Sequence, residues 1–400
     1  MRVLLSEGSG LTSRQVATRL GALGHHVEVL SSTPLCLTRF TRHVRALHPV
    51  PRFADDPMEW FAAANRIARQ RAIDVLLPTQ EQVAVLSALH GRLEVATVVP
   101  SFAALRRVQD KIEAWRTLHD IGIPQPASIV VQGKDDLASV GQFPVFVKRP
   151  ISTASAGVRR AATAAELVAA ATALGLGREA LLVQAQAAGP LAMVQALADR
   201  GRLVAHHANL RVIEGIGGGA AVKESVQLPM LTGHLQRLVQ ALDWHGPISM
   251  DVIVAAEGPL VIDVNPRLVE PLNAQMAGVD LVGAMLDLAR GGHPPTMPDG
   301  RAGIRSRQIL LAVLGAAESG QRAAVLRELA AALRGVGEYR DAAEELTPVR
   351  GDPIAAIPVI VAVFATVIKP SLWRLFHAGA TGPYSLTPEA WQRIISASGS

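Results

Sequence analysis

The segment Val261-Ile262-Asp263-Val264-Asn265-Pro266-Arg267 decides the fold of this chain. Apolar and polar residues alternate up to Pro266, and this pattern is typical of a β-strand that ends at a proline. Because side chains two residues apart on a strand point to the same face, we expect Asp263 and Asn265 to lie side by side. The alternative is that these two residues only form the polar face of an edge strand.

A third oxygen donor comes from the preceding strand. Asp251 lies in the strand predicted over residues 248–254, and Glu257-Gly258 predicts a tight connection to the strand at 260–264. Magnesium prefers a few carboxylate or amide oxygens from the protein and takes its other ligands from water and phosphates. The predicted magnesium ligands are Asp251, Asp263 and Asn265.

Lysine and small residues in the middle of the chain are typical of phosphate binding. Lys148 ends a strand predicted over residues 145–148, and a loop of small residues follows at 151–158. Such a loop can place backbone N–H groups and an ammonium around phosphate oxygens. Arg267 offers a planar fork to the same kind of ligand.

Composition restricts the class of protein. With 400 residues, 49% of them apolar, we expect two to four structural units, each with its own core. The net charge of +5 is spread along the chain and only 4% of residues are aromatic, which argues against nucleic-acid binding. Cys36 is the only cysteine, and the start of the chain does not resemble a secretory signal, so we expect a cytoplasmic protein.

Strands and helices alternate over the first hundred residues, and this order predicts a parallel sheet covered by helices. The predicted strands are 2–6, 26–30, 74–77 and 95–99, and the predicted helices are 13–23, 57–70 and 81–89.

The middle of the chain predicts an α+β region that begins near residue 100. Its predicted strands are 127–131, 145–148, 181–184, 193–198, 202–209, 248–254 and 260–264, and its predicted helices are 101–120, 164–174 and 229–242. After a proline-rich break at 293–295, residues 309–314 read as a strand or a helix and 321–334 as a helix.

Residues 354–368 are apolar but too short to span a bilayer, which needs about 20 residues. They predict a buried or dimer-forming helix. The alternative is a peripheral membrane contact through 354–376, with Lys369 and Arg374 at its basic end.

A segment at 217–225, which begins with three glycines, follows Arg211, which we place on a strand. Three glycines let the backbone approach a ligand closely, and the guanidinium of Arg211 can pair with a carboxylate. The alternative is a flexible hairpin connection.

The order of these motifs resembles the ATP-grasp superfamily over residues 1–290. The resemblance rests on Asp110-Lys111, Gly122-Ile123-Pro124, Phe146-Val147-Lys148 with its loop, Val183-Gln184, Asp251 and the segment at 261–267. It implies an α/β and α+β fold: a Rossmann-like domain at 1–100, ATP-grasp lobes at 101–182 and 183–292, and an accessory region at 293–400.

The same resemblance implies a role for each motif. Lys111, Lys148 and Gln184 would bind the nucleotide, and Asp251, Asp263 and Asn265 would hold Mg²⁺. The loop at 152–157, with Ser152, Ser155 and Gly157, would close over the γ-phosphate of ATP, although it has one glycine where such loops usually have several. Arg267 and Arg211 would face the reacting groups.

The expected activity is a carboxylate–amine ligase that uses Mg-ATP to activate a small-molecule acid for attack by a small-molecule amine. Two alternatives stay open: an enzyme that activates bicarbonate or carbamate, and a catalytically decayed nucleotide-binding scaffold at a membrane surface.

Overall fold

The structure, a computed structural model, describes residues 1–399, which form a mixed α/β protein with three sheets. The first sheet is parallel throughout, with strand order β3-β2-β1-β4. Its elements are β1 (Arg2–Leu5), α1 (Leu11–Ala22), β2 (His26–Ser31), β3 (Val44–Pro49), α2 (Pro57–Gln70), β4 (Val75–Leu77) and α3 (Val83–Ala88).

Both faces of this first sheet are buried, as its apolar strands require. Val3 and Leu5 of β1 pack on the side of α1, whereas Leu4 faces Trp60 of α2 on the other side. The sheet therefore has a core on each face.

Two helices connect the first sheet to the rest, α4 (Phe102–Gln109) and α5 (Lys111–Asp120). The sequence predicted one helix over 101–120, and this was wrong. The side chain of Asp110 accepts hydrogen bonds from the backbone N–H groups of Ile112 and Glu113, so it caps a new helix.

The second sheet is antiparallel, with strand order β5-β8-β6-β7. Its elements are β5 (Ser128–Val131), β6 (Val145–Lys148), β7 (Val158–Ala161), α6 (Ala164–Ala173) and β8 (Leu181–Ala185). Helix α6 covers one face of this sheet through Leu167 and Ala171.

The third sheet has seven strands in the order β13-β12-β9-β10-β11-β14-β15, antiparallel except for its last pair. Its elements and the helices between them are β9 (Leu191–Asp199), β10 (Arg202–Glu214), β11 (Ala220–Val226), α7 (Pro229–Ala241), β12 (Gly246–Ala255), β13 (Gly258–Asn265), α8 (Leu272–Ala277), α9 (Leu281–Ala289), β14 (Arg305–Arg307) and β15 (Ala343–Glu344).

The C-terminal residues pack on the first and the third sheet. Their helices are α10 (Ile309–Glu318), α11 (Arg322–Arg334), α12 (Ala356–Ile368), α13 (Trp373–Thr381) and α14 (Pro388–Ser398). Helix α10 lies on β11, and Trp391 of α14 is buried against the first sheet. Of the two alternatives for 309–314, the helix is therefore correct.

Other elements also differ from the sequence prediction. The strand predicted at 95–99 was wrong, because only Ala96 pairs with Val75 and the next residue, Thr97, bonds to the Leu76 carbonyl with its side chain instead. Strand β3 was missed because most of its side chains are only partly buried, so it lacks a long apolar run. Within residues 1–399, no helix is long and apolar enough to cross a membrane.

Candidate nucleotide and metal site

The predicted site residues converge on one cavity of about 600 Å³ between the second and third sheets. Strands β6 and β8 provide one wall, and β9 to β13 provide most of the other. A volume of this size suits a small organic ligand. The predicted site residues that line it are Lys111, Lys148, Ser152, Ser155, Gln184, Arg211, Asp251, Asp263, Asn265 and Arg267.

Two carboxylates lie side by side on neighbouring strands that line this cavity. Asp251 of β12 is paired directly with Asp263 of β13, and Asn265 lies two residues further along the same strand. Burial and the charge of Asp263 raise the pKa of Asp251 to about 6. The site thus concentrates negative charge in a poorly solvated place.

Lys111 supplies the counter-charge to one of these carboxylates. Its Nζ lies 2.8 Å from Oδ1 and 3.0 Å from Oδ2 of Asp263. Burial acts to lower the pKa of Lys111, but Asp263 outweighs it and raises that pKa. For Asp263, burial acts to raise the pKa, and Lys111 with Lys148 reverse this and lower it.

Lys148 is only 6% exposed and is bonded to neutral oxygens. Its Nζ donates to Oε1 of Gln184 at 2.8 Å and to the backbone carbonyl of Ile262 at 2.7 Å. Burial lowers the pKa of Lys148 to about 8. A buried ammonium without a directly bonded carboxylate has capacity to bind an anion.

A bulge in β13 makes the contact with Lys148 possible. Asp251 pairs with Asp263, but the next residue, Val252, pairs with Val261, which leaves Ile262 without a partner across the pair. A bulged residue is released from the regular ladder of hydrogen bonds. The carbonyl of Ile262 instead accepts a hydrogen bond from Lys148 of the second sheet.

The donor set fits a magnesium ion. Within residues 1–399, neither the carboxylate of Asp251 nor the amide of Asn265 makes a side-chain hydrogen bond, and both line the cavity. No cluster of three or more His, Cys, Asp or Glu side chains suited to a metal occurs in this part of the chain. Two carboxylates and one amide nevertheless match a hard cation that keeps water and phosphate ligands.

Arg267 forms an ion pair with Glu81, which was not among the predicted site residues. Its Nη2 lies 3.2 Å from Oε1 of Glu81, and Gln109 donates to the other oxygen of that carboxylate at 3.2 Å. Glu81 follows strand β4 at the carboxyl edge of the parallel sheet. That edge is where ligand sites form in such sheets, so its position was a usable signal.

The loop at 152–157 borders the cavity through two of its three predicted residues. Ser152 and Ser155 line it, and the hydroxyl of Ser155 lies 3.5 Å from the carbonyl oxygen of Gly217. Gly157 is not part of the lining. A Cβ at Gly157 would lie 2.4 Å from that of Ser152, so a glycine is needed there for close packing of the loop.

Arg211 reaches the cavity, but its own hairpin engages its guanidinium. It donates to the carbonyl of Gly218 at 2.7 Å and lies 2.8 Å from a carboxylate oxygen of Glu214. Strand β10 extends to Glu214, so Arg211 lies on a strand as predicted. The glycines form the tight connection between β10 and β11, and Gly217 has a φ of +64°, which favours glycine.

The cavity contains a second buried lysine that was not among the predicted site residues. Lys223 lines the cavity from β11, and its Nζ lies 2.5 Å from Glu270 and 2.7 Å from Glu345. Lys223 lies within the segment that the sequence analysis singled out, but its partners are distant in sequence, so no local pattern identifies them.

Comparison with known proteins finds similarity in structure only. The sequence matches no protein-family model and no curated protein. Among solved structures, carboxyaminoimidazole ribonucleotide synthase from Aspergillus clavatus, complexed with ATP, has a TM-score of 0.64 at 15% identity, over 91% of this chain and 98% of that one.

Two further structures have the same fold. Biotin carboxylase from Campylobacter jejuni has a TM-score of 0.61 at 16% identity, over 76% of this chain and 74% of that one. L-amino acid ligase from Bacillus licheniformis has a TM-score of 0.58 at 16% identity, over 73% and 75%. The chain has the ATP-grasp fold of these enzymes.

Proposed function

We propose that this chain is a ligase that uses Mg-ATP to activate a small-molecule carboxylate as an acyl phosphate and joins it to an amine. The observation that carries the proposal is Lys148, a buried ammonium with neutral partners, beside the opposed carboxylates Asp251 and Asp263. This arrangement offers one place for a phosphate and an adjacent place for a divalent cation.

The proposed roles follow from these positions. Asp251, Asp263 and Asn265 hold the magnesium ion, which when bound neutralises charge on phosphate oxygens. Lys148 binds the phosphates from one side, and Lys111 transfers part of its interaction from Asp263 to the nucleotide. Ser152 and Ser155 border the phosphates from their loop, with Gly157 shaping that loop, and Gln184 orients Lys148.

The chemistry needs positioning and charge neutralisation more than a reactive side chain. A carboxylate oxygen of the substrate attacks the γ-phosphorus of ATP, the bond to the bridging oxygen breaks, and ADP leaves. The amine nitrogen then attacks the acyl carbon, phosphate leaves, and the nitrogen loses a proton to give the amide. Arg267 stabilises the developing negative charge, with Arg211 as a second candidate.

The proposed domain arrangement assigns residues 1–100 to a Rossmann-like domain on the substrate side. Residues 101–182 and 183–292 are two ATP-grasp lobes that clamp the nucleotide between them. The accessory region at 293–400 supports this assembly; for example, the backbone N–H of Leu386 donates to the hydroxyl of Thr153 in the loop at 152–157.

The test is ADP release by purified protein with Mg-ATP and a panel of acids and amines, with Asp263→Asn as the comparison variant. We expect release that needs both an acid and an amine and falls at least about 100-fold in the variant. Release with bicarbonate alone would favour the bicarbonate-activating alternative. Tight ATP binding without turnover across the panel would contradict the ligase and favour the scaffold.

A further inference from the structure

Helix α12 presents an uncovered apolar face. Its opposite face packs on α10 and α11 and buries Ala362 and Thr366, whose hydroxyl bonds within the helix. Apolar side chains recur on the outer face every three or four residues and form one continuous stripe. The α12 stripe consists of Ile357, Ile360, Val361, Phe364 and Ile368, which are between 41% and 70% exposed.

The chain segment that contains the α12 stripe carries one sign of exposed charge. Between residues 349 and 376, the only acidic residue is Asp352, which is 3% exposed and paired with Arg14 at 3.3 Å. The other charged residues in this range are exposed and basic: Arg350, Lys369 and Arg374.

Further groups suited to a polar boundary lie at the C-terminal end of the stripe. Arg322 of α11 donates to the carbonyl of Ile368 at 2.8 Å. The guanidinium of Arg374 lies 5.3 Å from the ring centre of Trp373, and Leu375 beside it is 69% exposed. Arginine and tryptophan with an adjacent apolar side chain are typical of membrane interfaces.

We propose that the α12 stripe docks the protein on an anionic lipid bilayer, with the helix lying in the plane of the membrane surface. A helix of 13 residues is about 20 Å long, whereas the hydrocarbon core is about 30 Å thick, so α12 enters one leaflet and does not cross. Apolar side chains enter the bilayer, and the basic residues bind anionic headgroups.

A second copy of this chain fits the surface less well. If two α12 stripes packed in antiparallel order, Arg350 of one copy would face Lys369 and Arg374 of the other. In parallel order, the same basic residues would face each other. Like charges repel in both cases, whereas an anionic membrane attracts all of them.

The test is sedimentation of the full chain with vesicles of phosphatidylcholine alone and of phosphatidylcholine mixed with phosphatidylserine. We expect binding to the mixed vesicles that weakens as salt is raised. The double variant Ile360→Ser with Phe364→Ser should reduce binding about tenfold or more, because it removes the deepest apolar side chains. Lys369→Glu with Arg374→Glu should abolish the preference for phosphatidylserine.

Leu35→Ser is the matched control, because Leu35 is as exposed as Phe364 and lies outside the stripe. It should leave vesicle binding unchanged, and circular dichroism should show that every variant is folded. The proposal is overturned if the mixed vesicles do not bind the protein or bind the Ile360→Ser, Phe364→Ser variant equally well. A dimer in light scattering that this variant disrupts would instead assign the stripe to a second copy.

Discussion

Lys148 and Lys223 line the same cavity, and both are almost excluded from solvent, yet their surroundings are opposite. Lys148 is bonded to two neutral oxygens, and burial lowers its pKa to about 8. For Lys223, burial also acts to lower the pKa, but Glu270 and Glu345 outweigh it and raise the pKa to about 12. One ammonium has capacity for a ligand, and the other is already neutralised.

The two lysines also connect different parts of the molecule. Lys148 links the second sheet to β13 of the third, which places it where a nucleotide would lie. Lys223 links β11 to Glu345 of the C-terminal region, and Gln15 of α1 donates to the same carboxylate at 3.1 Å. The comparison therefore separates the proposed binding lysine from one that holds the scaffold together.

Replacing Lys223 should have the largest effect, and the effect should be on stability. Lys223→Met leaves Glu270 and Glu345 buried without a counter-ion, so we expect the free energy of unfolding to fall by about 3–5 kcal/mol. Urea unfolding measures this. Adding Glu270→Gln and Glu345→Gln should recover most of the loss. An unchanged urea midpoint in Lys223→Met would show that the ion pairs of Lys223 with Glu270 and Glu345 do not stabilise the fold.

Replacing Lys148 should act on turnover instead. Lys148→Met removes a buried cation with neutral partners, so stability should change little, while ADP release falls about 100-fold, or about 3 kcal/mol in transition-state stabilisation. Lys134→Met is the control, because Lys134 is an exposed lysine outside the cavity. Normal turnover in Lys148→Met would remove Lys148 from the site.

Glu7 is a buried carboxylate without a bonded cation. Of the three replacements, a change at Glu7 should have the smallest free-energy effect. Burial raises its pKa to about 7, against hydrogen bonds from the backbone N–H groups of Ser9 and Gly10. A raised pKa favours folding below the unfolded value of 4.5, and this contribution is lost as pH rises through about 7.

As pH rises from about 5 to about 8, Glu7→Gln should therefore become more stable than the natural chain, by about 1–3 kcal/mol in the free energy of unfolding. Unfolding of both proteins by urea across this range measures the difference. A gap that stays constant with pH would show that Glu7 does not titrate with an altered pKa.

The sequence predicted the features of the site that depend on short separations. Asp263 and Asn265 share a face because the strand period is local, and the hairpin places Asp251 opposite them. The start of α5 at Asp110, which the prediction of one helix over 101–120 missed, also had a local signal, since Asp110 with Glu113 three residues later is typical of a helix start.

Other features depend on tertiary packing, so no local pattern predicts the contacts that form them. Glu81 lies 186 residues from Arg267, and the bulge at Ile262 depends on the register of two strands. Residues 356–368 are apolar on all sides, so only the packing of the helix reveals which side chains are exposed.

The most direct test of the magnesium–nucleotide site is calorimetric titration of ATP into the natural chain and Asp263→Asn, with and without Mg²⁺. The account predicts that Mg²⁺ strengthens ATP binding to the natural chain by about tenfold or more. In Asp263→Asn this gain should disappear, while binding without Mg²⁺ is equal or tighter because a negative charge is gone. No ATP binding by the natural chain, or an equal gain from Mg²⁺ in both proteins, would contradict the account.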